Sequence, residues 1–336
     1  MSNWQQQWQE SFKKIDDLLS HLNLSREAVA ALDQDSSFPL RVPRAFADRI
    51  EKGNPSDPLL KQILPLSQEL DAVVGFIKDP LAENDSNPLP GLLHKYTSRV
   101  LLTLSGACAV HCRYCFRRHF PYNENNPGTK GWEPVFEYLM NHPEVKEVIL
   151  SGGDPLSVDD SLLENFMQRL ENISSIKYLR IHTRLPVVIP ARVTENLLKI
   201  LKTSRFRITM VLHSNHANEW DASLELPMQQ LKEAGVTLLN QAVLLKDVND
   251  SLSAQVELSY RLYDIGILPY YLHLLDKVSG AAHFDIDKPI AVQLMRDMIA
   301  TLPGYLVPKL VYEAPHRKSK TPVDLGMEKD DNAKNE

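Results

Sequence analysis

From Arg99 onward the chain alternates short apolar runs with amphipathic ones, and nothing else in it constrains the fold as strongly. The runs RVLLTLS, EVILSG, YLRIHTR, RITMVLH, TLLNQAVLL and ILPYYLHLL have the length and β-branched content of strands. Between them lie EPVFEYLMNH, DSLLENFMQRLENI, TENLLKILKTS, SLELPMQQLKEAG and SAQVELSYRLYDIG, each with apolar residues at helical spacing. Strands joined by helical crossovers pair in parallel and are covered on both faces. About six such units predict an α/β fold built as a partial, open (β/α)6-type barrel, with a doubly wound sheet as the alternative. In β/α barrels the chemistry gathers at the C-terminal ends of the strands. The polar segments after each apolar run are therefore the places to search.

The flanks differ from this centre. Residues 1–95 read as a helical N-terminal region: WQQQWQESFKKIDDLLSHLNL has helical spacing at Trp8, Phe12, Ile15, Leu18 and Leu19, while Pro39, Pro43, Pro55 and Pro58 interrupt the next stretch. The barrel is expected over 96–280, an irregular C-terminal segment over 281–325, and a polar, disordered tail over 326–336. No internal repeat is visible. The formal net charge of −6 gives no sign of a nucleic-acid binder. No apolar stretch approaches the roughly 18 residues of a membrane span, and the N-terminus lacks an apolar signal core. A cytoplasmic protein without membrane or nucleic-acid partners is expected.

All three cysteines fall in CAVHCRYC, directly after the first barrel strand: Cys108, Cys112 and Cys115. An odd number cannot pair fully in disulfides, and thiols clustered in a reducing compartment usually serve metal binding or catalysis. Three thiolates at this spacing can hold one compact inorganic centre but supply no fourth ligand. Four cysteines normally ligate every iron of a four-iron, four-sulfur cluster, so three would leave one iron open to a substrate or cofactor. The alternative is a structural zinc site completed by His111 or His119. A second segment, Ser151-Gly152-Gly153-Asp154, ends the second strand; its glycines permit either a tight turn or close backbone approach to a ligand. His213, Asn215, Asn240 and Gln241 follow or end later strands, as cavity-lining groups or as ordinary buried polar contacts.

Cys108, Cys112 and Cys115 in their CxxxCxxC arrangement resemble the signature of radical S-adenosylmethionine enzymes. That resemblance implies a 4Fe-4S cluster whose open iron is chelated by S-adenosylmethionine, and an electron from the cluster that releases a 5′-deoxyadenosyl radical. It also implies that the glycine motif, Ser151 to Asp154, binds the methionine end of that cofactor, with His213 a further candidate contact. From HKYTSRVLLTLSGACAVHCRYCFRRHF to HRKSKTPVDL, over roughly residues 90–325, the chain resembles the lysine 2,3-aminomutase family.

This closer resemblance implies a second cofactor, pyridoxal phosphate, held covalently on a lysine before Thr-Pro. That selects Lys320, although nothing local separates it from Lys318. It implies phosphate neutralisation by Arg99 and Lys95, pairing of the substrate carboxylate with Arg117, and binding of the substrate ε-ammonium by Asp276 and Glu313. A guanidinium fork suits a carboxylate, and a cation in a water-poor site needs acidic partners. The family more often has arginine at the Lys95 position, and Glu313 stands where the longer catabolic enzymes have aspartate. Only sixteen residues follow Lys320, which resembles the short bacterial form that makes (R)-β-lysine for elongation factor P. Partners on this reading are L-lysine, an electron donor such as flavodoxin or ferredoxin, and a functional link to elongation factor P and its ligase. The competing expectations are a glutamate 2,3-aminomutase, a radical enzyme without pyridoxal phosphate that modifies RNA or protein, and a non-catalytic iron–sulfur or zinc protein.

Overall fold

The computed structural model describes residues 3–29, 38–81, 87–122, 131–315, 317 and 319–327. Nine strands among these form one sheet in chain order: β1 Leu92–Tyr96, β2 Arg99–Ser105, β3 Glu147–Gly152, β4 Tyr178–Thr183, β5 Arg207–His213, β6 Thr237–Val243, β7 Leu268–His273, β8 Lys309–Tyr312 and β9 Thr321–Pro322. Neighbours from β2 to β8 are parallel. The outermost pairs, β1 with β2 and β8 with β9, are antiparallel. All six expected strands form. A doubly wound sheet would reverse its strand order at a switch point; the strictly sequential order rules that alternative out and leaves the open partial barrel.

Three strands lie outside the expected six. β1 straddles the anticipated boundary at residue 95 and folds back on β2 through the Tyr96↔Arg99 pair. Its LLHKY sequence buries Leu92 and Leu93 side by side and carries no alternating pattern, because an edge strand is specified by its partner. β8 and the helix Lys288–Thr301 give regular structure to the segment expected to be irregular. That helix starts with Pro289 in its first turn, a position where the missing N–H costs nothing.

The N-terminal region is built from short helices, among them Asn3–Gln9, Ile15–His21 and Pro58–Lys61. Asp57 caps the last, its Oδ1 accepting from Leu59 and Leu60 N–H at 2.7 and 3.1 Å. Trp4, Leu18, Leu22, Phe46, Leu59 and Ile63 are buried in the same continuous apolar core as the sheet, each contributing roughly 1.5–3 kcal/mol by leaving water. This layer therefore folds with the barrel. A second, smaller cluster of Leu245, Val248, Leu275, Val278, Ala281 and Phe284 packs against Tyr114 and Phe116 and supports the cysteine loop. No helix among the described residues is long and apolar enough to cross a membrane. Residues 328–336, most of the expected tail, lie outside the described residues.

Candidate active site

The C-terminal ends of the strands, with Arg99 from the start of β2 and Leu101, Ile149 and Arg180 from within strands, surround one cavity of about 480 Å³. Cys108, Cys112, Cys115, Arg117, Lys95, Arg99, Ser151, Gly152, Gly153, Asp154, His213, Asp276, Glu313 and Lys320 all line it. Residues more than 200 positions apart thus meet in one chamber, as parallel strands that all end on the same side require.

The cysteine loop is held by backbone bonds. His111 N–H donates to Arg41 O at 3.0 Å, Arg113 N–H to Gln62 O at 2.8 Å, and Cys115 N–H to Cys112 O at 3.1 Å. The glycine motif packs directly on this loop: Gly153 N–H donates to Ser105 O at 2.7 Å and Asp154 N–H to Ala107 O at 2.8 Å. A Cβ on Gly153 would lie 2.6 Å from Ala107 O, and one on Gly152, where φ is +116°, would lie 2.5 Å from Ser105 O. Both glycines are therefore required by the approach of two backbones, and Gly152 by a left-handed conformation as well.

Asp154 faces inward. Its carboxylate accepts from Thr183 Oγ1 at 2.7 Å, Leu156 N–H at 3.0 Å, Arg184 N–H at 2.8 Å and Leu185 N–H at 2.9 Å. Burial raises its pKa, and these donors oppose the rise. The residue ties the end of β3 to the end of β4.

The three cysteines form no disulfide. Burial pushes the Cys108 thiol well up and the Cys115 thiol to about 11, and the neighbouring cysteines add to both shifts. Thiolates crowded in this way are stabilised by positive metal centres, which deprotonate coordinating thiols outright. Among the described residues no three His, Cys, Asp or Glu side chains converge on a point that could hold a single ion. A polynuclear cluster asks for less convergence, since each cysteine binds its own iron. Each histidine of the zinc alternative meets a backbone carbonyl through one ring nitrogen, His111 Nδ1 at 2.8 Å from Pro39 O and His119 Nε2 at 3.1 Å from Ser279 O, a contact that a metal-bound imidazole also makes and that does not decide between the two. Three cysteines that do not converge on a single-ion site among the described residues fit an iron–sulfur cluster better than zinc.

Arg117 and Arg118 part company. Arg118 turns to Glu69, at 2.6 Å, and to Gly280 O, at 2.9 Å. Arg117 is buried at the cavity wall, donating to Ser151 Oγ at 3.1 Å and Gly152 O at 3.3 Å, with its guanidinium over Phe116. The β8–β9 pairing sets Tyr312 opposite Thr321 and so brings the next residues together. Lys320 Nζ meets Glu313 Oε1 at 3.0 Å and lies 5.9 Å from the Tyr271 ring centre. Burial works against the Glu313 charge, but Lys320 outweighs it and holds the carboxyl below its ordinary range. Lys318 lies outside the described residues. Arg99 sits 4.1 Å from the Tyr96 ring centre, and Lys95 Nζ donates to Leu81 O at 3.2 Å.

Sequence reasoning does not single out His182, His273 or Arg184. His182 and His273 line the cavity beside His213. The His182 and His213 rings pack edge to face at 5.7 Å, and Gln241 Nε2 lies 3.0 Å from His213 Nε2. Burial, reinforced by the nearby cations, lowers all three, His213 to about 3, and keeps them neutral. The available signal is positional: β4, β5 and β7 each carry a histidine at or next to the strand's last residue. Arg184 comes directly after β4 and is 6% exposed. Its backbone bond to Asp154 cannot be read from sequence.

Residues 97–183 match the family described as 4Fe-4S single cluster domain. The L-lysine 2,3-aminomutase of Escherichia coli is 50% identical over 327 residues, covering 97% of this chain and 95% of that protein. The enzyme of the same name from Haemophilus influenzae is 48% identical, covering 90% of each chain. That of Buchnera aphidicola is 43% identical, covering 97% of this chain and 96% of its own. Sequence likeness of this extent, over a cavity that joins the cysteine loop to Lys320, places the chain in the L-lysine 2,3-aminomutase family.

Proposed function

We propose that this chain is an isomerase that converts L-lysine to (R)-β-lysine in the cytoplasm, with a 4Fe-4S cluster, S-adenosylmethionine and pyridoxal phosphate as cofactors. The observation that carries the reading is the cavity itself, which a three-cysteine loop, a buried arginine and a lysine–glutamate pair line together. Cys108, Cys112 and Cys115 would hold the cluster, Ser151 to Gly153 and His213 would border the adenosyl cofactor, and Lys320 with Arg99 and Lys95 would hold pyridoxal phosphate. Together these cofactors supply a carbon radical that abstracts hydrogen and a carbonyl carbon that carries the migrating nitrogen.

The protein's own groups place the substrate. The Arg117 fork is buried and already oriented by Ser151 and Gly152 O, so a substrate carboxylate docks without the arginine having to be ordered first. Glu313 is the second anchor. Once Lys320 is engaged by its cofactor, the Glu313 carboxylate would keep only the 3.5 Å contact from Tyr96 Oη and would be a half-buried charge suited to a cation. A terminal ammonium at the far end of the substrate meets that need, with Asp276 also lining the cavity. The neutral state of His182, His213 and His273 matters here, because three imidazolium ions would repel a cationic substrate. Asp154 acts from below by fixing the glycine motif to β4.

Anaerobically reconstituted protein given L-lysine, S-adenosylmethionine, pyridoxal phosphate and a reductant should form β-lysine. Turnover of another amino acid instead would refute the substrate. The finer reading is that the product is attached to elongation factor P by a separate ligase, and that a flavodoxin or ferredoxin supplies the electron. Intact mass of elongation factor P from cells lacking this chain should lose the β-lysyl increment, and exogenous β-lysine should restore it. An unchanged mass would reject that link.

A further inference from the structure

Cys112 is contacted from outside its own loop. Arg184, on the turn after β4, donates from Nη1 to Cys112 Sγ at 3.0 Å. The same guanidinium donates from Nη2 to Gln62 Oε1 at 2.9 Å and to Glu219 Oε2 at 3.0 Å, and it also bonds Tyr114 Oη. Its backbone N–H is fixed by Asp154, so the residue is held at both ends. Gln62 and Glu219 are fully buried. Gln62 comes from the N-terminal layer: its side chain also accepts from Asn215 Nδ2 at 2.9 Å, and its backbone carbonyl accepts from Arg113 N–H at 2.8 Å.

Backbone bonds to Arg41, Gln62 and the glycine motif already pin the cysteine loop, so a buried charge is not needed merely to hold it. What a guanidinium adds is a positive charge and a donor at a sulfur that would ligate iron. We infer that Arg184 is a positioning residue for the Cys112 sulfur that also sets how readily the bound iron–sulfur cluster accepts an electron, with Gln62 and Glu219 governing that contact. The inference rests on the reading of the three cysteines as cluster ligands. An added electron makes the cluster more negative, and a cationic donor at a ligand sulfur favours that state, so Arg184 raises the reduction potential. Glu219 opposes it by neutralising part of the arginine's charge. The N-terminal layer would thereby take part in the redox site through Gln62, although it contributes no cysteine.

The test is a redox titration of anaerobically reconstituted protein, monitoring the paramagnetic signal of the reduced cluster, with iron and sulfide measured on each sample. In Arg184→Gln the ratio of reduced to oxidised cluster at a fixed poise should fall about tenfold, or about 59 mV for a one-electron couple. Arg184→Lys keeps the charge and should recover much of the shift. Glu219→Gln retains an oxygen to accept from Asn215 and His216 N–H and should move the potential the opposite way. Should Arg184→Gln fail to bind iron, the sign of the Glu219→Gln shift decides. A purely structural arginine would lower iron content while leaving every loaded variant at the parent potential, and that result overturns the proposal. Parent protein lacking iron and sulfide would instead overturn the cluster reading on which it rests.

Discussion

Replacing Glu313 by glutamine tests how the cavity tells lysine from other amino acids. The substitution keeps shape and removes one negative charge from a position 3.0 Å from Lys320 Nζ, where the two side chains are 25% and 21% exposed. At that burial a charge-assisted hydrogen bond contributes about 1.5–3 kcal/mol. If the same carboxylate takes the substrate ammonium, KM for L-lysine should rise roughly ten- to a hundredfold. An interaction made equally in ground and transition states changes KM and leaves kcat nearly unaltered. The assay is initial-rate β-amino acid formation by the reconstituted enzyme, with lysine compared against 2-aminohexanoate, which lacks the terminal amine. The parent should discriminate strongly and Glu313→Gln weakly, so the difference isolates the contact as a double-mutant cycle does. Full discrimination retained with an unchanged KM would refute the role of Glu313 and leave Asp276 as the reader.

Three further outcomes rest on the geometry. Gly153→Ala forces a methyl group to within 2.6 Å of the Ala107 carbonyl, and should lower iron per chain and Tm together; normal iron content would show that the loop can yield. Lys320→Ala should abolish the pyridoxal absorbance while leaving the iron content of the cysteine loop intact, since Lys320 is held by Glu313 across the β8–β9 pairing; loss of both would contradict independent sites. The native pKa of His213, about 3, lies below its unfolded value of about 6.5. The unfolded chain therefore gains a proton that the folded one refuses, and stability falls as pH drops through that window. From pH 6.5 to 5 this one residue should cost about 2 kcal/mol, at 1.36 kcal/mol per unit, with His182 and His273 adding in the same direction. Urea unfolding of His213→Gln should show a shallower pH dependence, and an unchanged slope would count against a buried neutral imidazole.

Local sequence pattern specified the central strands and marked the cysteine loop, while the sequential strand order separated an open barrel from a doubly wound sheet. Period-2 and period-3.6 patterns are local properties, so RVLLTLS, EVILSG and RITMVLH specify their strands without reference to the rest of the chain, and β2, β3 and β5 occupy those residues. Three cysteines within eight positions carry their chemistry in their spacing. Only the tertiary structure decided the rest. β1 and β9 are the edge strands and β8 is the short strand between β7 and β9; their short sequences become strands because a neighbour offers its backbone. The 3.0 Å pairing of Lys320 with Glu313 depends on the β8–β9 register, a relation between segments that no window of sequence contains. The two glycines looked like a turn or a ligand cradle, and their closest neighbours prove to be the carbonyls of the cysteine loop. Arg184 carried no sequence signal at all, because an arginine after a strand is ordinary until burial, Cys112, Gln62 and Glu219 surround it. Local patterning fixes which segments fold; which side chains face one another is settled by how the parallel strands end together around the cavity.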